Sequence, residues 1–594
     1  MPDSDFIPDY LKPFIANQDS SLYTPIDHAS WRFILRVSKD FFSTRAHEKY
    51  LNGLKETGVS TERIPLVSEM DAKLKRFGWR AVAVNGFIPP AVFMEFQSLG
   101  ILPIACEMRT LEHLAYTPAP DIVHEAAGHA PIIADPEYSA YLRAYGEISR
   151  KAIFSYQDMA IYEAVRNLSV AKEDPRSTEA EIECAQKGLD EAAGAVSFYS
   201  EATLMARMNW WTVEYGLVGS VDDPRIYGAG LLSSLGESYH CLGKKVQRRP
   251  LTLDCIQSGY DITKPQTELF VTPDFAHLTT VLHEFAKTMA YQIGGATGLA
   301  RAKEARTVCS VALDSGIQIS GVLAEYGENG GYVNTLRFSG PCQLSLGDQE
   351  LKDQGPEHHP EGFSTILGPL KKFGTSPSDL TDEDLKSLTH GEWTTLHFES
   401  GITVHGKKKS VKRAAGKIIL LSFTECKATA GSGEVLFDPA WGTFDLACGS
   451  EIESVFGGSA DRKNYLLKTG GFHQLPMKPK CNLTEENREL NSLYASVREI
   501  REELGKNSEL DANQAKSLSR IEADLRKNHR DDWLLRLEMI ELLSAEPHLS
   551  GQLPPDFEDH LRKDLRVIQS VSTTHSEMIE RGLALLDPKK ETAI

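Results

Sequence analysis

The spacing of apolar residues divides the chain into three stretches of different character. In the first, Leu278, Val281, Leu282, Phe285 and Met289 recur at three- and four-residue intervals, which gives a helix one buried face. Helical pieces are expected at Ala72–Phe77, Ala91–Leu99, Ile122–Gly128 and Leu278–Tyr291. From about residue 305 to 470 the pattern changes to short β-branched runs punctuated by glycine, at Ile317–Val322, Thr395–Val404 and Lys417–Thr424. Beyond them Leu490, Leu493, Val497, Ile500 and Leu504 return to helical spacing. Leu518, Ile521 and Leu525 repeat it, and a third helix is expected from Trp533 to Leu543.

These patterns predict a mainly α domain over residues 1–297, an all-β domain over 305–475 and a C-terminal helical bundle over 482–594. A chain of 594 residues is too long for a single core. An Ala- and Glu-rich stretch at about 149–205 reads as a helical hairpin set into the first domain, and Gly294–Gly298 reads as a linker. The C-terminal helices suit either a bundle within the chain or a seam for self-association, and their short heptad runs favour the bundle.

Charge and cysteines narrow the classes. The net charge of -19 argues against a nucleic-acid or acidic-membrane partner. The one basic run, Lys407–Arg413, is expected at a solvated hairpin tip, and His358-His359 is expected to be exposed in a Pro/Gly loop. Nine cysteines without a CxxC pair suit a reducing compartment. Met1–Asp5 lacks the basic and apolar regions of a signal peptide, and no 18-residue apolar span occurs, so a cytoplasmic protein is expected. The short run before Tyr23 leaves the C-terminal half as the expected place for any regulatory domain.

His124-Glu125-Ala126-Ala127-Gly128-His129 carries the chemistry. Zinc peptidases place two histidines four apart on one helical face, whereas these are five apart, a rotation of roughly 500° on an α-helix. Both reach one metal only if the backbone yields through a π-type bulge or a helix end. Gly128 and Pro131 supply that freedom. Glu214 is the third candidate ligand, because a carboxylate among Trp210, Trp211, Val213, Tyr215 and Leu217 needs a cation as partner. Two histidines and a carboxylate, with no cysteine nearby, compose the facial triad of non-heme Fe(II) oxygenases.

These segments resemble the pterin-dependent aromatic amino acid hydroxylases. The resemblance begins near Tyr23–His28 and Trp31, runs through Arg45-Ala46-His47 and Gly78-Trp79-Arg80, takes in both motif blocks and fades between Phe275 and Met289. It implies that His124, His129 and Glu214 hold Fe(II), and that a tetrahydropterin cosubstrate and O2 serve ring hydroxylation. Glu125 matches the acid that faces the pterin, and Ile88 and Phe93 match its apolar wall. Arg109, with Thr117 and Ser233, matches the grip on the amino acid. Trp210 matches the wall of the ring pocket, and Asp121 matches a partner that fixes a ligand histidine's tautomer. The chain departs from the family at Asn209, where a tyrosine is usual, and in the length of the 149–205 stretch. Trp210 and the apolar Ile262 favour phenylalanine as substrate and tyrosine as product. The alternatives are a tryptophan or tyrosine hydroxylase, a zinc hydrolase using Glu125 as base, or a non-catalytic amino-acid sensor.

Overall fold

The computed structural model describes residues 6–586 except 87, 116, 118, 175, 263, 472–484, 508–511 and 546–552. The boundary expected between residues 475 and 482 lies outside the described residues. The first half is built on helices with two small sheets. Its opening long helix, Pro25–Phe42, starts at a capping box in which Thr24 and Asp27 bond each other's backbone N–H. It buries Trp31, Ile34 and Leu35. Arg80–Val84 and Ile101–Ala105 pair in parallel. A four-stranded sheet runs Pro224–Ile226, Leu217–Gly219, Glu268–Thr272, Gln247–Pro250. Leu278, Val281, Leu282 and Phe285 lie buried on the Phe275–Ala286 helix, which ends short of the expected Tyr291, and the buried Met289 caps the next short helix, Ala290–Ile293. Tyr156–Glu173 and Glu179–Gly194 form an antiparallel hairpin whose second helix buries none of its residues.

Two antiparallel six-stranded sheets follow, each with its own apolar cluster. The first contains Val308–Leu313, Ile317–Asn329, Tyr332–Leu346, Gly362–Ile366 and Ile452–Gly457. The second is centred on Thr403–Ala414 and Lys417–Thr429, with Phe444–Ala447 beside the latter.

Three sequence expectations are corrected here. Thr395–Val404 is not one run but the end of the Trp393–His397 strand, a tight turn at Gly401 (φ +86°) and the start of Thr403–Ala414. The basic run is no hairpin tip, because it lies inside Thr403–Ala414, and the turn comes later at Ala415-Gly416. Side chains alternate across a strand, so one face of that run reaches solvent while Lys407 pairs with Glu425 and Arg413 with Asp382. Gly294–Gly298 is no linker either. It enters the Gly295–Ala305 helix, and a Cβ at Gly294 would lie 2.4 Å from the Ile452 carbonyl oxygen. Glycine is needed there for contact with the neighbouring strand.

The C-terminal helices Glu485–Asn507, Ala512–Asn528, Leu534–Ala545, Phe557–Val571 and Thr573–Leu586 share a core with the first half. Val497, Ile500 and Leu504 spend their apolar face inside that core. Trp533 meets the edge of Phe33 at 5.0 Å between ring centroids. Glu538 is buried and accepts from Arg32 Nε at 3.1 Å, Arg32 Nη2 at 2.5 Å and Arg501 Nη2 at 3.1 Å. No helix among the described residues is long and apolar enough to cross a membrane.

Two outcomes are expected. Glu538→Ala leaves the buried Arg32 without its carboxylate and Arg501 with Glu541 alone, and lowers stability by about 3–5 kcal/mol in denaturant titration. An unchanged midpoint would contradict the role given to this pair. His28, on the Pro25–Phe42 helix, is held down to about 4 from 6.5, by burial first and then by Arg498. The unfolded chain therefore binds the extra proton between those values, and stability falls as pH drops from 6.5 to 4. In His28→Asn the fall over that window is shallower, whereas equal slopes in the two proteins would assign it elsewhere.

Candidate functional site

Two widened helical turns place the chemistry. His124–His129 is π-helical, closed by the Ala130 N–H bonding the Glu125 carbonyl, five residues back. Trp210–Glu214 is a second π turn, closed by the Tyr215 N–H on the Trp210 carbonyl at 2.8 Å. The longer repeat returns His129 to the face of His124, which an α-helix does not do at this spacing. Pro131 has no N–H to give the Ala127 carbonyl, and the buried Tyr50 hydroxyl donates to that oxygen instead, at 3.0 Å. Gly128 lets the turn touch its neighbour, because a Cβ there would lie 2.6 Å from the Ala229 carbonyl oxygen.

The two Nε2 atoms stand 3.1 Å apart, and Glu214 reaches both, Oε2 to His124 and Oε1 to His129, each at 3.4 Å. Burial holds the His124 imidazole down to about 4. Burial opposes charge on His129 as well, but the Glu214 carboxylate beside it raises this imidazole to about 9. Burial would raise Glu214, yet the two imidazoles hold its carboxyl down to about 2. Two ring nitrogens this close need a proton or a cation between them.

Polar groups around the three candidate ligands lack protein partners. Glu125 Oε2, Asn209 Oδ1 and the Trp210 indole N–H are buried without a hydrogen bond. Such groups are rare unless water, an ion or a ligand completes them. Two imidazoles and a carboxylate, without thiolate, suit a divalent iron that keeps open positions. The residues present fit that ion and a polar ligand beside it.

The orientation of His124 differs from the sequence expectation. Ser233 Oγ donates to the Ala229 carbonyl at 2.7 Å and so accepts from His124 Nδ1–H at 3.0 Å, leaving the Nε2 lone pair for a metal. Asp121 does not fix a ligand ring. Its carboxylate takes Arg109 Nε at 2.7 Å and Nη2 at 2.8 Å, and also accepts the backbone N–H of Arg109 and of His124. A short aspartate one turn before His124 reaches backbone N–H more readily than the ring. Arg109 Nη1 donates to the Ser233 carbonyl at 2.9 Å, so one serine touches both the cation and the ligand histidine.

The other expected residues divide. Phe93 approaches His129, with centroids 6.5 Å apart, and Glu125 Oε2 lies 4.0 Å from His129 Nε2. Burial pushes the Glu125 carboxyl up to about 8. Ile88 packs against the cluster of Ile7, Leu11 and Phe14. Thr117 caps its own turn, donating to the Ala119 carbonyl at 2.9 Å. Trp210 stacks on Tyr215 at 4.5 Å and on Tyr260 at 4.3 Å, nearly parallel to the latter at 8°. Tyr260 was not read from the sequence as a site residue, and only its place beside Ile262 hinted at it. Asn209 Nδ2 reaches Glu214 Oε1 at 3.5 Å, so the departing residue faces the candidate carboxylate ligand.

The close approach of Gly128 gives a direct check. Gly128→Ala forces the His124–His129 turn away from Ala229 and costs about 1–3 kcal/mol of stability. It also lowers retained iron, measured by metal analysis of the purified protein. Full iron content and unchanged stability would show that the contact is not needed.

A family model described as biopterin-dependent aromatic amino acid hydroxylase matches residues 18–154 and 191–294. The gap takes in the Tyr156–Glu173 helix and most of Glu179–Gly194. The phenylalanine-4-hydroxylase of Chromobacterium violaceum is 28% identical over 279 residues, 45% of this chain and 79% of that protein. That of Ralstonia nicotianae is 29% identical over 287 residues, 46% of this chain and 78% of that protein. A crystal structure of the Chromobacterium violaceum enzyme with bound iron(III) and 7,8-dihydrobiopterin covers 46% of this chain and 85% of its own, at 26% identity and a TM-score of 0.37. Residues 18–154 and 191–294 are thus similar in sequence to the biopterin-dependent aromatic amino acid hydroxylases.

Proposed function

We propose that this protein is an Fe(II)- and tetrahydropterin-dependent monooxygenase that hydroxylates phenylalanine to tyrosine. The observation that carries the reading is the pair of π turns that bring His124, His129 and Glu214 together beside the Arg109–Asp121 pair and Trp210. Phenylalanine-4-hydroxylase is also the name of the relatives, and the apolar Ile262 suits an unsubstituted ring.

When bound, Fe(II) and the tetrahydropterin together supply the reductive activation of O2. His124, His129 and Glu214 are the residues that hold the iron. Ser233 aims the His124 ring through its Nδ1–H, and Asn209 steadies Glu214. Glu125 and Phe93, with Ile88 at the edge of the wall, face the pterin, and the buried Glu125 carboxyl can hold a proton at neutral pH. A guanidinium has five N–H donors, and Arg109 spends three of them on Asp121 and the Ser233 carbonyl. The other two are left for the carboxylate of the amino acid, with the plane of the group already fixed. By the resemblance Thr117 joins Arg109 in the grip on the amino acid. Trp210, backed by Tyr215 and Tyr260, presents a rigid aromatic surface to the substrate ring.

On this reading residues 1–297 perform the reaction. The β-rich 305–475 and helical 482–594 stretches brace them. The buried Val497–Leu504 face supports packing within the chain over self-association. Cys184, Cys241, Cys255, Cys309, Cys342, Cys426 and Cys448 form no disulfide, in keeping with work in a reducing cytoplasm.

Product analysis with Fe(II), tetrahydropterin, O2 and each aromatic amino acid tests the reading. Tyrosine forms from phenylalanine, depends on the pterin and disappears in His129→Ala. A requirement for zinc in place of iron would favour a hydrolase, and iron binding with neither product nor pterin oxidation would favour a sensor. Ser233→Ala removes the acceptor that orients His124 and weakens iron binding by about 10- to 100-fold in chelator competition. Unaltered affinity would remove that role from Ser233.

A further inference from the structure

A second convergence of metal-binding side chains lies among the described residues, within the β-sheet region. His358 and His359 occupy the turn that leads into the Gly362–Ile366 strand of the first sheet, and Asp445 sits on the Phe444–Ala447 strand of the second. The sequence alone reads the two histidines as exposed loop residues. Packing of one sheet's turn against the other's strand brings His358 Nε2 to 3.1 Å from Asp445 Oδ2. The two imidazoles stand 4.6 Å apart and nearly perpendicular, at 81°. One ligand atom from each of the three residues lies within 4.8 Å of the others.

The surroundings of the cluster favour a metal over a simple ion pair. His359 Nε2 stands 2.8 Å from Oε1 of the buried Gln354. The amide oxygen only accepts, so that nitrogen carries the proton and Nδ1 keeps its lone pair. Metal-ligating histidines are commonly fixed in this way. Asp445 is buried, and its Oδ1 accepts from the Ser422 hydroxyl, which turns Oδ2 toward His358. The backbone of the turn is also set. His358 and His359 N–H both bond the Gly355 carbonyl, at 2.9 and 3.2 Å, and the His359 carbonyl accepts from Cys342 at 2.9 Å. The His358 side chain is 38% exposed, so a fourth position opens to water.

We propose that His358, His359 and Asp445 form a second metal site, taking a divalent transition ion such as zinc or nickel. Two imidazoles and one carboxylate suit these ions, whereas Mg2+ and Ca2+ call for oxygen donors. Three protein ligands and a water complete a tetrahedral set.

The test is Zn2+ titration of chelator-stripped, full-length protein against a chromophoric chelator. The unchanged chain takes two equivalents, His124→Ala/His129→Ala takes one, and adding His359→Ala to that background leaves none. In the same background Asp445→Asn, which keeps the side chain's shape, also abolishes binding, and Gln354→Ala weakens it about 10- to 100-fold. Circular dichroism reports whether each variant folds. If His359→Ala does not, Asp445→Asn and His358→Ala decide the question. The proposal is overturned if the His124→Ala/His129→Ala protein binds no Zn2+, if its zinc survives loss of His359 or of the Asp445 charge, or if millimolar Ca2+ displaces the zinc.

Discussion

A helical turn widened by one residue leaves backbone groups out of step with the ladder on either side, and much of the first half is arranged around holding two such turns. The Ala127 carbonyl, deprived of a donor by Pro131, is met by the Tyr50 hydroxyl. Gly53 lets the Tyr50–Glu56 helix close on Pro131, where a Cβ would lie 2.1 Å from its carbonyl oxygen. Gly128 admits Ala229, and the helix that begins there carries Ser233 back to His124. The candidate ligand set, the orientation of the His124 ring and the placing of Arg109 thus hang on one tightly packed stretch of backbone. π turns cost helical regularity and recur at functional sites, because they place side chains at spacings an α-helix cannot serve.

The C-terminal half reaches this arrangement through buried charge. Glu95 lies on the Pro90–Ser98 helix, two residues after Phe93, and is 1% exposed. Its carboxylate is gripped by Arg462, which follows the last strand of the first large sheet, and by the Tyr10 hydroxyl at 3.2 Å. Arg462 also donates to the Arg150 carbonyl, close to where the family match breaks off. On the other flank Arg581 donates to the Leu235 carbonyl at 2.8 Å, two residues beyond Ser233, and lies over the Tyr239 ring. Removing one partner of a buried pair strands the other without solvent, which gives such contacts their stiffness. The elements that carry Phe93 and Ser233 are therefore held from outside the catalytic half.

The three candidate ligands were legible because their signal is local. Two histidines at an unusual spacing, with glycine and proline beside them, constrain the backbone before any packing is known. Glu214 stood out as a charge inside an apolar run. The alternation of periods likewise located helices and strands, since three- and four-residue spacing and β-branched runs follow from which face is buried. Misreadings arose where one local pattern has two tertiary outcomes. Lys407–Arg413 can turn or can run along a half-solvated strand. Gly294–Gly298 can be loose, or can be the bare surface on which a helix meets Ile452.

What the sequence determined by itself is the histidine pair, with its need for a π-type bulge or a helix end, and Glu214 as a charge in an apolar run, each read from its own few neighbours along the chain. What the tertiary structure decided are the pairings across long separations. Ser233 rather than Asp121 orients His124, although the two are 109 positions apart. Tyr260 comes to stack on Trp210, and Asp445 comes to face His358 across 87 residues. Periodicity records which face of an element is buried but not what it is buried against, and hydrogen-bond direction depends on that second fact.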